Sequence, residues 1–557
     1  MKSQSAEPSG TLLQFARVAD SVGATTKKKE KVTLISEFLL ALSREEAALA
    51  AIFLTGRAFA AWEERVLGVG GMQLSAVVAD VAQLESAELG LIYRKYGDLG
   101  DAAADALRNR NHGNSHSLAE VATEFDDLAK SRTRASKAER LRAFFENAAP
   151  LEVKYLIKII SGDLRIGLKE SLVEEAIAQA YGRSLDSVRR ANMLLGDIGE
   201  TLNLAADDKL ATAAVRFFHP LGMMLAAPVQ TAEELRDEIQ HGLIAEEKYD
   251  GIRAQVHKHD GRIKMFSRTL DELSEFPELA ASFLALPGNF ILDGEILAWD
   301  DSGPLPFTTL QQRLGRKVQQ ATLFDSAPVP VKYVAFDVLF SGGQLLLDAA
   351  LKERRKFLDR LFDGQQSSAL RLAPAWPCDS VEAIETAFRN SLAAGHEGIV
   401  IKKLDSPYVA GRRGGHWFKL KEPFATLDVV VTAVEYGHGR RHDVLSDYTF
   451  AVRSGEELLN IGKAYSGLTD AEIAEYSDYF KKHVVKDEGW RLIVEPRVVI
   501  EVAFNNIQRS ERHASGYALR FPRILRLRTD KPVSEIDTLD VVKAHFAAQF
   551  TKRGEPG

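Results

Sequence analysis

The spacing of apolar residues changes along this chain, and that change limits what it can fold into. From about residue 11 to residue 215 the apolar positions recur at helical intervals, beginning with Leu12, Leu13, Phe15, Ala16 and Ala19. A three-to-four-residue period marks helices that bury one stripe. Ser43-Arg44-Glu45-Glu46 reads as a capping box, in which the serine accepts from the third backbone N–H and the glutamate reaches back. Leu156, Ile157, Ile159 and Ile160 predict a buried helix that breaks at Ser161-Gly162-Asp163. Residues 217–228, with Pro220, Gly222 and Pro228, read as a domain junction. From about Leu243 the pattern becomes one of short alternating strands. Residues 253–259 and 262–268 flank Asp260-Gly261, a two-residue hairpin signal. Further strands are predicted at 290–297, 333–340, 398–402 and 417–421, with helices between them. After Leu427 strands dominate again, and Thr469 to Glu472 caps one helix, which predicts a short barrel. The expected architecture is an all-α N-terminal domain over 1–218, an α+β domain over 219–423 and a C-terminal β-barrel over 424–557.

A length of 557 residues suits such a division, at ~150 residues per domain. Cys378 is the single cysteine, which excludes internal disulfides and any multi-cysteine zinc module. The first residues, MKSQSAEPSG, lack the apolar stretch of a signal peptide, and no 18-residue apolar run occurs, so a cytoplasmic location is expected. The net charge of −7 weighs against nucleic-acid binding unless basic residues gather locally. Clusters do occur at Lys27-Lys28-Lys29, Arg412-Arg413, Arg440-Arg441 and residues 520–528. No Walker-type phosphate loop and no dinucleotide fingerprint is present.

Candidate chemistry concentrates in the middle domain. In Lys248-Tyr249-Asp250-Gly251-Ile252-Arg253 a lysine, an Asp-Gly turn and an arginine stand at the end of an apolar run. A lysine becomes a nucleophile only when desolvation or neighbouring cations remove its proton. If Asp260-Gly261 is the turn, Arg253 falls opposite Arg268, and two like charges there predict an anion site beside Lys248. Asp293 and Glu295 share a strand face and suit Mg²⁺ or ribose hydroxyls. Glu397 opens a strand and is a second candidate metal ligand. Lys419 and Lys421 share a face and would converge on phosphate. Phe336 lies in an apolar strand, where it either packs in the core or stacks on a base.

These residues, in this order, resemble the ATP-dependent DNA ligases among the covalent nucleotidyltransferases. The Lys248 hexapeptide looks like the adenylylation motif. Ser267-Arg268, Leu292-Asp293-Gly294-Glu295, Tyr333 to Asp337, Glu397 to Lys402 and Trp417 to Lys421 follow in family order. Arg520-Phe521-Pro522-Arg523, with Asp530-Lys531 beyond, resembles the last motif, on an oligonucleotide-binding (OB-fold) barrel. Asp163 to Leu168 resembles a segment of the helical DNA-binding domain. The resemblance implies that Lys248 carries AMP and that Glu246 accepts from the adenine amino group. It places Arg253 and Glu295 at the ribose, Phe336 on adenine, and Arg268 and Arg413 at phosphate or ribose. Lys419 and Lys421 would bind the α-phosphate, Glu295 and Glu397 would hold Mg²⁺, and Arg520 and Arg523 would orient pyrophosphate. It further implies ATP as co-substrate, a monomer acting on nicked double-stranded DNA in replication, repair or recombination, and no membrane partner. Whether a sliding clamp or repair proteins also bind stays open. An RNA ligase or capping guanylyltransferase shares the lysine motif, but the long helical region argues against both. The lone cysteine disfavours an NAD-dependent ligase. A non-enzymatic DNA clamp would not need Lys248, Glu295, Glu397, Lys419 and Lys421 together.

Overall fold

Helix caps and apolar stripes of the N-terminal region behave as its sequence dictates. In the computed structural model, described over residues 10–551 apart from 111, 112, 114, 302, 312, 314–328, 366, 423, 424 and 438–443, α-helices run from Leu12–Ala24 to Ile198–Ala206. Arg440-Arg441 lies outside the described residues. Leu12, Phe15, Ala16 and Ala19 are fully buried, and the Ser43–Glu46 capping box forms with both hydrogen bonds. The Pro150–Ile160 helix buries Leu156, Ile157 and Ile159 and stops at Ser161. Among the described residues no helix is long and apolar enough to cross a membrane.

The middle region forms strands β1 (Ala227–Val229), β2 (Leu243–Glu247), β3 (Ile252–His259), β4 (Arg262–Ser267), β5 (Phe290–Asp300), β6 (Gly303–Pro304), β7 (Val331–Ser341), β8 (Gln344–Leu345), β9 (Leu370–Leu372), β10 (Ala375–Cys378), β11 (Gly398–Lys403) and β12 (Trp417–Lys421). They make two sheets. One has the order β1-β12-β11-β2-β10, and the other is built on β4-β3-β5-β7-β8. Because side chains alternate along a strand, each sheet buries one face against helices and turns the other toward a shared cleft, where Ile291, Leu297, Val334 and Leu339 form a second apolar cluster beside the polar groups. Leu243, Ala245, Ile399, Ile401, Phe418 and Leu420 bury one face of the first sheet with Val381 and Ile384 of the Val381–Ala393 helix. Ala254, Val256, Leu292, Ile296 and Ala335 bury one face of the second with Leu279, Phe283, Leu358 and Leu361 from two helices. Each fully buried Leu, Ile or Phe contributes roughly 2 kcal/mol by leaving water.

The β3–β4 turn follows the expected register, with His259 opposite Arg262 and Ala254 opposite Ser267. Asp260 and Gly261 both have positive φ, at 47° and 73°, as a turn matched to strand twist requires. The C-terminal region curls around the long strand Ala425–Tyr436, which pairs with Leu445–Ser454, Arg491–Val494 and Val499–Phe504. The Asp470–Lys481 helix carries the expected Thr469 cap. The sequence predicted one helix here, and the structure adds a second, Leu539–Thr551, whose Val542 is buried in the barrel core.

The segment between the first two domains is laced to β3 by side chains. Phe218 N–H donates to His257 Nδ1 at 3.1 Å, Leu221 N–H donates to Gln255 Oε1 at 2.7 Å, and Arg253 donates to the Met224 carbonyl at 2.7 Å.

Candidate active site

The two remaining faces meet around a cleft of about 440 Å³. On the first sheet, Val400 pairs with Glu246 and with Lys419, and Lys402 pairs with Trp417. Lys248 N–H donates to the Gly398 carbonyl at 2.8 Å, which extends the ladder one step and turns Lys248 to the same face as Glu246. The second sheet contributes Arg253, opposite Glu295, and Phe336. Gly251 and Gly398 are needed for this approach. A Cβ at Gly251 would run into the Ile296 carbonyl, and one at Gly398, where φ is 142°, into the Leu420 carbonyl.

Lys248 Nζ is hydrogen-bonded and ion-paired to Glu397 Oε2. The Lys419 amine is pushed below its ordinary range by burial, then by the charges of Lys248, Lys421, Arg413 and Arg268. Lys421 is lowered by burial and Lys248, with Glu397 opposing. Five cationic side chains and one carboxylate therefore share one end of the cleft, an arrangement that favours a bound polyanion. Glu295 is pushed up to about 8 by burial, against the opposing pull of Arg253 and Lys248.

At the other end Phe336, 9% exposed, meets Trp417 edge-on with ring centres 6.1 Å apart. Glu246 is buried there, its oxygens accepting from Arg355 at 2.8 Å and Lys402 at 2.6 Å.

Two expectations need correction. The Arg253–Arg268 register stands as far as the ladder runs, but Arg253 does not wait for a ligand to neutralise it. Its guanidinium takes Asp293 through two hydrogen bonds of 3.0 and 2.6 Å. Asp293 does share a face with Glu295, yet it is fully buried, engaged with Arg253 and Tyr408, and absent from the cleft wall. It braces an arginine instead of facing metal or ribose.

Three family models cover the chain in order. The DNA ligase N terminus matches residues 11–178, the ATP-dependent DNA ligase domain residues 223–421, and the ATP-dependent DNA ligase C-terminal region residues 441–531. The chain belongs to the ATP-dependent DNA ligases. The ligase is 49% identical to a probable DNA ligase of Koribacter versatilis (strain Ellin345), over 97% of each chain. It is 35% identical to a DNA ligase of Methanoculleus marisnigri, over 97% of this chain and 99% of the other. A solved structure described as Pmar-Lig_Pre covers 92% of this ligase, and 99% of its own chain, with 16% identity and a TM-score of 0.57, a likeness of fold. The ligase thus has the family's helical, nucleotidyltransferase and β-rich domains in sequence.

Of the residues singled out in the ligase sequence, Glu246, Lys248, Arg253, Arg268, Glu295, Phe336, Arg413 and Lys419 line the cleft. Glu397 reaches it through Lys248, and Lys421 stands beside Lys248 and Glu397. Arg520 and Arg523 are not brought there. Arg520 donates instead to Gln311 Oε1 of the middle domain at 3.0 Å, and Arg523 is exposed. Sequence reasoning passed over Arg355 and Tyr408, and it included Lys402 in the Glu397 to Lys402 run without giving it a role. Lys402 alone left a signal, since it shares a strand face with Val400 at the end of an apolar run.

Proposed function

We propose that this ligase seals 5′-phosphate/3′-hydroxyl nicks in duplex DNA by carrying AMP on Lys248, with ATP and Mg²⁺ in the cleft. It would act as a cytoplasmic monomer whose domains divide near residues 218 and 423. The observation that carries this reading is the Lys248–Glu397 pair at the cationic end of the cleft, beside Lys419.

In the first step Lys248 Nζ attacks the α-phosphorus of ATP. An N–P bond forms, the bond to the bridging oxygen breaks, and pyrophosphate leaves. The ammonium must first lose a proton to solvent, which the neighbouring cations Lys419, Lys421, Arg268 and Arg413 favour and which frees Glu397 from its pairing with Nζ. Lys419, Lys421, Arg268 and Arg413 face the phosphate charge. In the second step a 5′-phosphate oxygen of the nick displaces Lys248 from phosphorus and takes AMP. In the third the 3′-hydroxyl attacks that 5′-phosphate, loses its proton, and AMP leaves as the strand is joined. Each step is an in-line displacement, so positioning and charge dominate. For Arg520 and Arg523 to meet pyrophosphate, the barrel has to leave its contact with Gln311 and swing to the cleft.

The donors fit Mg²⁺. Among the described residues no group of three or more His, Cys, Asp or Glu could hold a metal alone, but Mg²⁺ is commonly held by one or two carboxylates with phosphates and water completing its shell. Glu295 and Glu397 would supply those two; burial raises the Glu295 carboxyl to about 8 against the pull of Arg253 and Lys248, and a bound cation would favour its ionised form. Bound there, Mg²⁺ would neutralise charge on the phosphates.

Incubation with α-labelled ATP, followed by a chase with nicked DNA, tests the reading. The label should attach to the wild-type protein, pass to DNA, and fail to attach to Lys248→Ala. Robust labelling of that variant would sink the assignment. GTP and nicked RNA serve as comparison substrates.

A further inference from the structure

The base end of the cleft holds a buried ionic cluster that none of the three steps uses. Glu246 on β2 and Lys402 on β11 are diagonal neighbours, because Glu246 pairs with Val400 and Ile244 with Lys402. Lys402 donates to Glu246 Oε2 at 2.6 Å and to the Phe336 carbonyl at 3.1 Å, which ties the two sheets together. From the Leu351–Phe362 helix, Arg355 donates to Glu246 Oε1 at 2.8 Å and to the Ala373 carbonyl at 3.1 Å. Its neighbour Arg354 grips Asp337, next to Phe336, with hydrogen bonds of 2.8 and 2.9 Å. Three cations thus fix the carboxylate on one sheet relative to the aromatic ring on the other.

We propose that Lys402 and Arg355 are positioning residues for base selection. They hold Glu246 as an ionised group that only accepts hydrogen bonds, so the cleft takes a purine presenting an amino group and rejects one presenting a carbonyl oxygen. This rests on the reading of the cleft as the nucleotide site. An ionised carboxylate has no proton to give. The adenine amino group donates to it, whereas the guanine carbonyl meets it lone pair to lone pair. With one cation on each oxygen, lone pairs remain for a ligand. Burial pushes the Glu246 carboxyl up, and Lys402 and Arg355 oppose that rise while Asp337 adds to it. Removing either cation leaves one oxygen of the buried carboxylate without its counter-charge. It then turns away or takes up a proton, and a protonated carboxyl donates as well as accepts.

The test compares α-labelled ATP with α-labelled GTP in forming the covalent adduct. It uses the wild type, Lys402→Met, Arg355→Met and the conservative Lys402→Arg and Arg355→Lys. The ratio of second-order rate constants, ATP over GTP, is expected to fall about tenfold or more in the methionine variants and to recover in the conservative ones. Circular dichroism and the melting temperature of each full-length variant report whether it is folded. If Lys402→Met is not folded, Arg355→Met carries the measurement. An unchanged ratio, including equal losses with both nucleotides, would reduce the cluster to a structural clamp and overturn the proposal. A wild type that takes no label from ATP or GTP would instead bring down the reading of the cleft, and this proposal with it.

Discussion

Tyr408 joins three segments through one hydroxyl. It donates to Asp293 Oδ2 at 2.6 Å, accepts from Met224 N–H at 3.0 Å and lies 3.4 Å from Arg253 Nη2. Replacing it with phenylalanine leaves the buried Met224 N–H without its acceptor and Asp293 with one donor fewer. The expected loss is about 1–3 kcal/mol, read by urea unfolding of Tyr408→Phe against wild type, and a loss within error would show that the hydroxyl is dispensable. This residue also marks the limit of what the sequence discloses. Glu295 and Lys419 were legible because a strand shows alternate side chains on one face, and Lys248 because it heads the Lys248-Tyr249-Asp250-Gly251-Ile252-Arg253 run, signals that need only neighbouring residues. Tyr408 and Arg355 were not, because their carboxylate partners stand 115 and 109 positions away. No local spacing encodes such a pairing.

Elements with strong local signals formed where the sequence placed them. The Asp260-Gly261 turn set the β3–β4 register, and β11 and β12 lie where alternation with β-branched and aromatic residues predicted them. The last helix, Leu539–Thr551, was missed because Ala544, Ala547 and Ala548 dilute its apolar stripe. The turn offers a check on the element that carries it. Gly261 has φ of 73°, a region costly to residues with a Cβ, and a Cβ there would meet open space. Gly261→Val should therefore lose about 1–2 kcal/mol through backbone strain alone. Since the turn is not part of the cleft wall, adduct formation from ATP should keep its wild-type rate below the melting temperature. A large fall in that rate would mean that hairpin strain reaches Arg253.

Across the whole molecule, the helical and middle domains share a junction whose polar groups are largely satisfied internally. His257 accepts from Phe218 N–H at Nδ1 and its Nε2 lies 2.8 Å from Gln255 Oε1, a pattern that the neutral ring fits. Burial holds His257 down to about 3 and His219 down to about 4. The unfolded chain takes these protons near pH 6.5, and the folded chain does not until the pH is far lower. The stability they contribute is therefore complete above about pH 6.5 and drains away as pH falls toward about 4 for His219 and about 3 for His257. Melting temperatures should drop between about pH 7 and pH 5, and His257→Gln should flatten that drop; an identical slope in the variant would move the acid sensitivity elsewhere. The same junction runs past the cleft. A Cβ on Gly222 would lie 3.0 Å from the Gly411 backbone, Leu225 N–H bonds the Arg412 carbonyl at 3.0 Å, and Arg412 reaches Asp186 of the helical domain at 3.1 Å. The loop that carries Arg413 is thus sewn, backbone to backbone, to the strap between the domains. One short loop therefore carries a cleft residue, Arg413, next to a residue, Arg412, that bonds both the strap and the helical domain.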